Sequence, residues 1–138
     1  MANTRGAVMT KVAAGTTPDP GSVAATVRAF TEIVTFASQA SGDTIEVAKL
    51  PKGARVLHGV LTTSASTGTA TLAVGTSSSA AKYRAAAVLT ATDTPTPFGV
   101  ATALNVANSA EETVVVTVGT AALPASGTMA VTTVYTFD

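Results

Sequence analysis

Cysteine and tryptophan are absent from this 138-residue chain, and aromatic residues make up only 4% of it. Without cysteine there is no disulfide framework and no thiolate metal site. With so few rings, the interior must be filled by small and β-branched side chains. Phe30, Phe36, Tyr83, Phe98, Tyr135 and Phe137 are the large pieces on hand. Such an interior is thin, like the space between two sheets packed ~10 Å apart. Charge is scarce as well. Eight basic and eight acidic residues cancel, and charged residues reach 12%, against a usual share of ~25%. A chain of this kind offers no basic patch for nucleic acid, and near-zero net charge favours association. No apolar run reaches the ~18 residues of a membrane span, and no apolar stretch near the start has the form of a secretory signal. Neither a membrane nor a nucleic-acid partner is therefore expected.

The motifs that carry chemistry are missing too. The glycine-rich phosphate-binding patterns and the spaced acids of a calcium loop do not occur. His58 is the one histidine. It falls in the middle of an apolar run, whereas a catalytic histidine needs a nucleophile and an orienting acid beside it. It is read as a packing or interface residue. No cofactor, no metal and no enzymatic activity are expected.

What the chain does have is alternation. In Asp43–Gly75, Ile45 and Val47 alternate with polar neighbours up to Leu50. Pro51-Lys52-Gly53 then supplies a tight turn, with proline presetting φ and glycine accepting a positive φ. Ala54–Thr63 follows as a strand with Val56, His58 and Val60 on one face and Leu57, Gly59 and Leu61 on the other. Apolar residues on both faces suggest a strand central in its sheet. Ala70, Leu72 and Val74 mark the next strand, ended by Gly75.

Ala29–Ala37 reads as an earlier strand. Ser79–Arg84 reads as a helical turn leading into a strand near Ala85–Ala91. Asp93–Pro97 is a stiff extended loop, and Phe98–Leu104 is a short strand. Asn105–Glu112 is a polar turn region, with the adjacent acids Glu111 and Glu112 in solvent. Thr113–Gly119 and Thr128–Asp138 are the last two strands. Roughly eight short strands joined by Gly, Pro and Ser turns predict an all-β antiparallel sandwich or jelly roll with at most one short helix. A small closed barrel is the alternative.

Residues 1–28 differ from the rest, with the dense turn cluster Thr16–Gly21 and little periodicity. They are expected to form an extended N-terminal arm preceding a sandwich domain of residues 29–138. The arm holds Arg5, Lys11 and Arg28 against one acid, Asp19, and is expected to lie against a neighbouring subunit or a partner with acidic surface. Threonine alternating with valine gives sheets a neutral, hydroxyl-bearing face. Such a face can rest on another protein without desolvating charge.

The runs GDTIEVAKLPKGARVLHGVL, TATLAVGT, AAKYRAAA and TATDTPTPFG resemble small β-sandwich virion proteins of tailed bacteriophages. The resemblance covers about residues 30–104 and is carried by Leu50, Pro51, Gly53, Ala54, Gly75 and Tyr83. It implies a non-catalytic structural protein on the outer capsid surface, made in the bacterial host cytoplasm. Such a protein decorates and cements the shell by bridging copies of the major capsid protein, commonly as a homotrimer. Arg5, Lys11, Arg28, Pro95, Pro97, Glu111 and Glu112 are the expected capsid or subunit contacts. A carbohydrate-binding or adhesion module of a head fibre or tail component is the alternative.

Overall fold

The computed structural model describes residues 4, 9–10, 13–15 and 26–137. Eight strands run in the order β1 (Val27–Thr35), β2 (Thr44–Leu50), β3 (Arg55–Thr63), β4 (Thr71–Gly75), β5 (Arg84–Val88), β6 (Thr96–Phe98), β7 (Glu112–Gly119) and β8 (Thr128–Thr136). One four-stranded sheet, sheet A, has the order β1-β8-β3-β6, and the other, sheet B, has the order β2-β7-β4-β5. All pairings are antiparallel. The pairs β4–β5, β3–β6, β2–β7 and β1–β8 nest inside one another. This is one long antiparallel ribbon folded at the β4–β5 hairpin and wrapped into two sheets, the jelly-roll arrangement. The open pair of sheets excludes the closed barrel.

The alternating residues meet between the sheets. Val114, Val116 and Val118 of β7 are buried against Leu72 and Val74 of β4, and Met129 and Val131 of β8 against Leu61 of β3. Phe36, Tyr83 and Phe98 supply the bulk that the small residues lack. Thr63 and Thr133 also point inward, and their buried hydroxyls have no hydrogen-bond partner.

The expected turn at Pro51–Gly53 forms. Gly53 has φ +89°, and the Ala54 N–H donates to Pro51 O at 3.1 Å. Strand β3 is internal to its sheet, as its sequence suggests, but its facing differs from the expectation. A β-bulge lies between Val56 and His58 against β8. The extra residue turns Val56 inward while His58 points out, and Gly59, Leu61 and Thr63 follow on the buried side. Apolar residues on both faces are therefore a consequence of the bulge, since a one-residue slip exchanges faces. Gly59 is dictated by its neighbour. It pairs with Phe98 of β6, and a β-carbon there would stand 2.0 Å from the Phe98 ring.

Two other expectations are corrected. No helical turn forms over Ser79–Arg84. The Thr76 N–H bonds Ser79 O at 2.9 Å and the Lys82 N–H bonds Ser79 O at 3.1 Å. The chain folds back over β4 and enters β5 at Arg84. The strand expected at Phe98–Leu104 is displaced to Thr96–Phe98. Val100–Leu104 is a turn, with Ala103 and Leu104 N–H groups both on Val100 O, and Asn105 leaves it at φ +59°. Asparagine tolerates that left-handed conformation.

Before β1, Met9, Thr10 and Ala13 are helical, and the Ala14 N–H donates to Thr10 O at 3.1 Å. Arg5 and Lys11 lie outside the described residues. Strand β1 begins at Val27, so Arg28 is already part of the sheet.

Candidate interaction surface

Short of the end where Arg55 stands opposite Thr136, the outward face of sheet A is built by the odd residues of β1 from Ala29, the even residues of β8 up to Val134, and His58, Val60 and Thr62 of β3. Ala29, Thr31, Ile33 and Thr35 stand opposite Val134, Thr132, Ala130 and Thr128. His58, Val60 and Thr62 continue the rows on β3, and Pro97 extends the Val60 row onto β6. The hydroxyls of Thr31 and Thr132 meet at 3.2 Å across the β1–β8 pair. Across these rows no outward side chain is Asp, Glu, Lys or Arg. Ile33 is 60% exposed at one margin. Alternation puts valine and threonine here because both suit a pleated surface, and it leaves a flat, uncharged, hydroxyl-dotted plane.

The outward face of sheet B is different. Glu46 and Lys49 of β2 project from it, in register with Val115 and Thr113. Lys49 pairs with Glu111 at 3.2 Å, with both side chains 64% exposed, a contact worth less than ~1 kcal/mol. The 76–82 segment lies across its middle, where a β-carbon on Gly75 would meet the Ser79 carbonyl at 2.2 Å. Sheet B is thus charged and partly covered, whereas sheet A is neutral and open.

The sequence-expected contact residues do not gather in one place. Arg28 sits on β1 with its guanidinium 5.7 Å from the centre of the Phe137 ring. Pro95 precedes the opposite edge strand, β6, and Pro97 lies within it, three strands away from Arg28. Glu111 lies in solvent just before β7.

Glu112 is not the solvated acid expected. It is the first residue of β7, and its carboxylate accepts a hydrogen bond from the buried Tyr83 hydroxyl and one from Lys82 Nζ at 2.6 Å. Burial of Tyr83, with Glu112 as acceptor and as a nearby negative charge, pushes the phenol well above its ordinary value of 10.0. The neighbouring Arg84 guanidinium is drawn below its ordinary value by burial, and it donates to Leu72 O and to Ala87 O. The Lys82–Tyr83–Glu112 cluster therefore ties the β5 entry to the β7 start. Sequence spacing carries no trace of it, because the partners are about thirty positions apart and no periodicity joins them.

Beside this cluster lies an open groove of about 670 Å³ lined by Ser77–Ser79, Asn108, Lys82 and Glu112. None of its lining residues is aromatic, so it lacks the flat apolar platform on which sugar rings pack. His58 stands opposite Val134 on the exposed face of sheet A. Among the described residues, no three His, Cys, Asp or Glu side chains stand close enough to hold a metal ion.

No family model matches the chain, and no curated protein is found similar to it. Solved structures do match. The chain is similar to one in the cyanophage Pam1 capsid asymmetric unit, with a TM-score of 0.70 and 25% identity, over 83% of this chain and 86% of that one. The fold is one that bacteriophage capsids use. A chain of the Ralstonia phage GP4 capsid shares it at a TM-score of 0.64 and 20% identity, over 82% of this chain and 85% of that one. So does a chain of the acid-stable capsid of Helicobacter pylori bacteriophage KHP30, at 0.59 and 15%, over 80% and 87%. The two latter likenesses are of fold alone.

Proposed function

We propose that the protein is a structural component of a phage virion that decorates and stabilises the outer surface of the capsid shell. The observation that carries this reading is the open, uncharged outward face of sheet A on a fold shared with a Pam1 capsid chain. A face without charge can be covered by another protein with no ionic desolvation cost. The role is passive. Each copy rests its sheet A face on the shell, and the segment before β1, with Arg5 and Lys11, reaches to a neighbouring capsid subunit. A protein that binds only the assembled shell stabilises it by mass action, and two points of attachment raise the effective affinity without new chemistry.

The test is reconstitution. Capsids stripped of this protein are mixed with the full chain, with Thr132→Lys, and with a chain lacking residues 1–25. Occupancy is read by co-sedimentation, and shell stability by heat-induced release of the contents. Thr132 lies at the centre of the face, between Thr31 and Val60, so a lysine there would bury an unpaired charge. Occupancy is expected to fall at least ~tenfold for Thr132→Lys, which corresponds to ~1.4 kcal/mol. The shortened chain is expected to stay folded and to lose the stabilising effect. Wild-type occupancy by both variants would refute the proposal.

A further inference from the structure

A sandwich of two open sheets has four edge strands, here β1, β6, β2 and β5. Exposed edges pair with other chains unless something blunts them. Three of the four are blunted. Strand β6 is three residues long and contains Pro97. Strand β2 carries a bulge between Glu46 and Ala48, followed by Lys49. Strand β5 is irregular against β4, and the Arg84 guanidinium occupies its Ala87 carbonyl.

Strand β1 has nine residues and no irregularity in its register with β8. The Phe36 N–H, just past its end, bonds Gly127 O on the β8 side at 2.8 Å. The Ile33 N–H instead takes the Glu32 carboxylate at 3.2 Å, and Thr35 O accepts from Gln39 Nε2 at 3.1 Å. Residues of an antiparallel strand alternately turn both backbone groups toward the partner and both away. The odd residues of β1 therefore face the open edge. The side chains of Glu32 and Gln39 close its second half. Along the first half, Val27 to Thr31, no such cap is formed among the described residues.

We propose that this open half-edge pairs with the same segment of a second copy, antiparallel about a two-fold axis through Ala29. The segment is self-complementary in that register. Small Ala29 meets its own copy on the axis, and Val27 lies opposite Thr31. Arg28 falls opposite Phe30, so a cation meets a ring and not a second cation. The two A sheets become one eight-stranded sheet, and their neutral outward faces become continuous. The pairing belongs to the free protein and does not rest on the capsid reading, so either can fail alone.

Sedimentation of the full chain from micromolar to near-millimolar concentration tests it, together with three variants. Ala29→Pro removes only an edge-facing N–H, a position where an edge strand accepts proline. It is expected to weaken self-association by more than ~tenfold, since two intermolecular hydrogen bonds are lost. Its circular dichroism should match that of the wild type.

The chain has no cysteine, so single-cysteine variants report the register directly. Ala29→Cys is expected to form a disulfide-linked dimer on mild oxidation. Thr31→Cys is not, because its two copies would lie roughly 13 Å apart along the strands, beyond the ~7 Å limit for a disulfide. A wild-type chain that stays monomeric throughout, an Ala29→Pro variant that associates as well as wild type, or equal cross-linking at positions 29 and 31 would overturn the proposal. If Ala29→Pro fails to fold, the cysteine pair still decides.

Discussion

Gly59 shows how a single residue can be set by a partner far away in sequence. From the chain alone it is one more position in an alternating run. In the fold it is the only residue that lets the Phe98 ring lie flat on β3, since any β-carbon would enter that ring. Gly59→Ala is expected to cost about 1–3 kcal/mol, the usual penalty for overpacking a core, readable as a lower midpoint in urea at unchanged slope. An unchanged midpoint would mean that Phe98 has room to move. Tyr83 is a second case. Its phenol is buried on Glu112 and held protonated above its ordinary value of 10.0. Because the folded-state value is the raised one, its contribution is fully present below pH ~10 and is lost as pH rises above that, by up to ~1.4 kcal/mol per pH unit. Tyr83→Phe should flatten this alkaline slope while lowering stability at neutral pH by about 1–3 kcal/mol, because Glu112 loses a donor. Denaturant melts at neutral and alkaline pH compare the two proteins, and an equally steep slope in the variant would show that another group titrates.

At the scale of elements, strands with unbroken alternation were legible and irregular ones were not. Thr113–Gly119 and the run after Thr128 appear in the structure almost as read, with Val114, Val116 and Val118 inward and Val115 on the reverse side. The Pro51–Gly53 turn was equally legible, because proline and glycine fix backbone angles locally. Strand β3 was placed correctly and faced wrongly, since a bulge inserts one residue without any compositional mark. Strand β6 was the hardest. Thr96 and Pro97 read as loop and only Phe98 as strand, and β6 exists because β3 offers Gly59–Leu61 as a partner. The strand read near Ala85–Ala91 is present as β5, but the helical turn read before it is not. Ser and Ala residues favour a helix locally, whereas here the Tyr83 N–H bonds Val74 O at 2.8 Å as the chain pairs with β4.

The whole molecule is a nest of pairings in which the outermost joins the two ends of the domain. Strand β8 lies between β1 and β3, so sheet A cannot close until the last strand is in place. Contacts this distant in sequence slow folding, and all-β domains of this kind fold in ~milliseconds to seconds. Stopped-flow refolding is expected to show this range, and a microsecond relaxation to the native signal would contradict the nested topology as the limiting feature. The amino-acid sequence by itself determined the all-β class, the small-residue core, the positions of most strands and the scarcity and balance of charge, because these follow from alternation, turn chemistry and composition. Tertiary structure alone decided the rest. Strand order selected sheet A as the open uncharged face, put Glu112 on Tyr83, and left one edge half-capped. Each of these depends on which strands become neighbours, and neighbours in a jelly roll are chosen across the length of the chain.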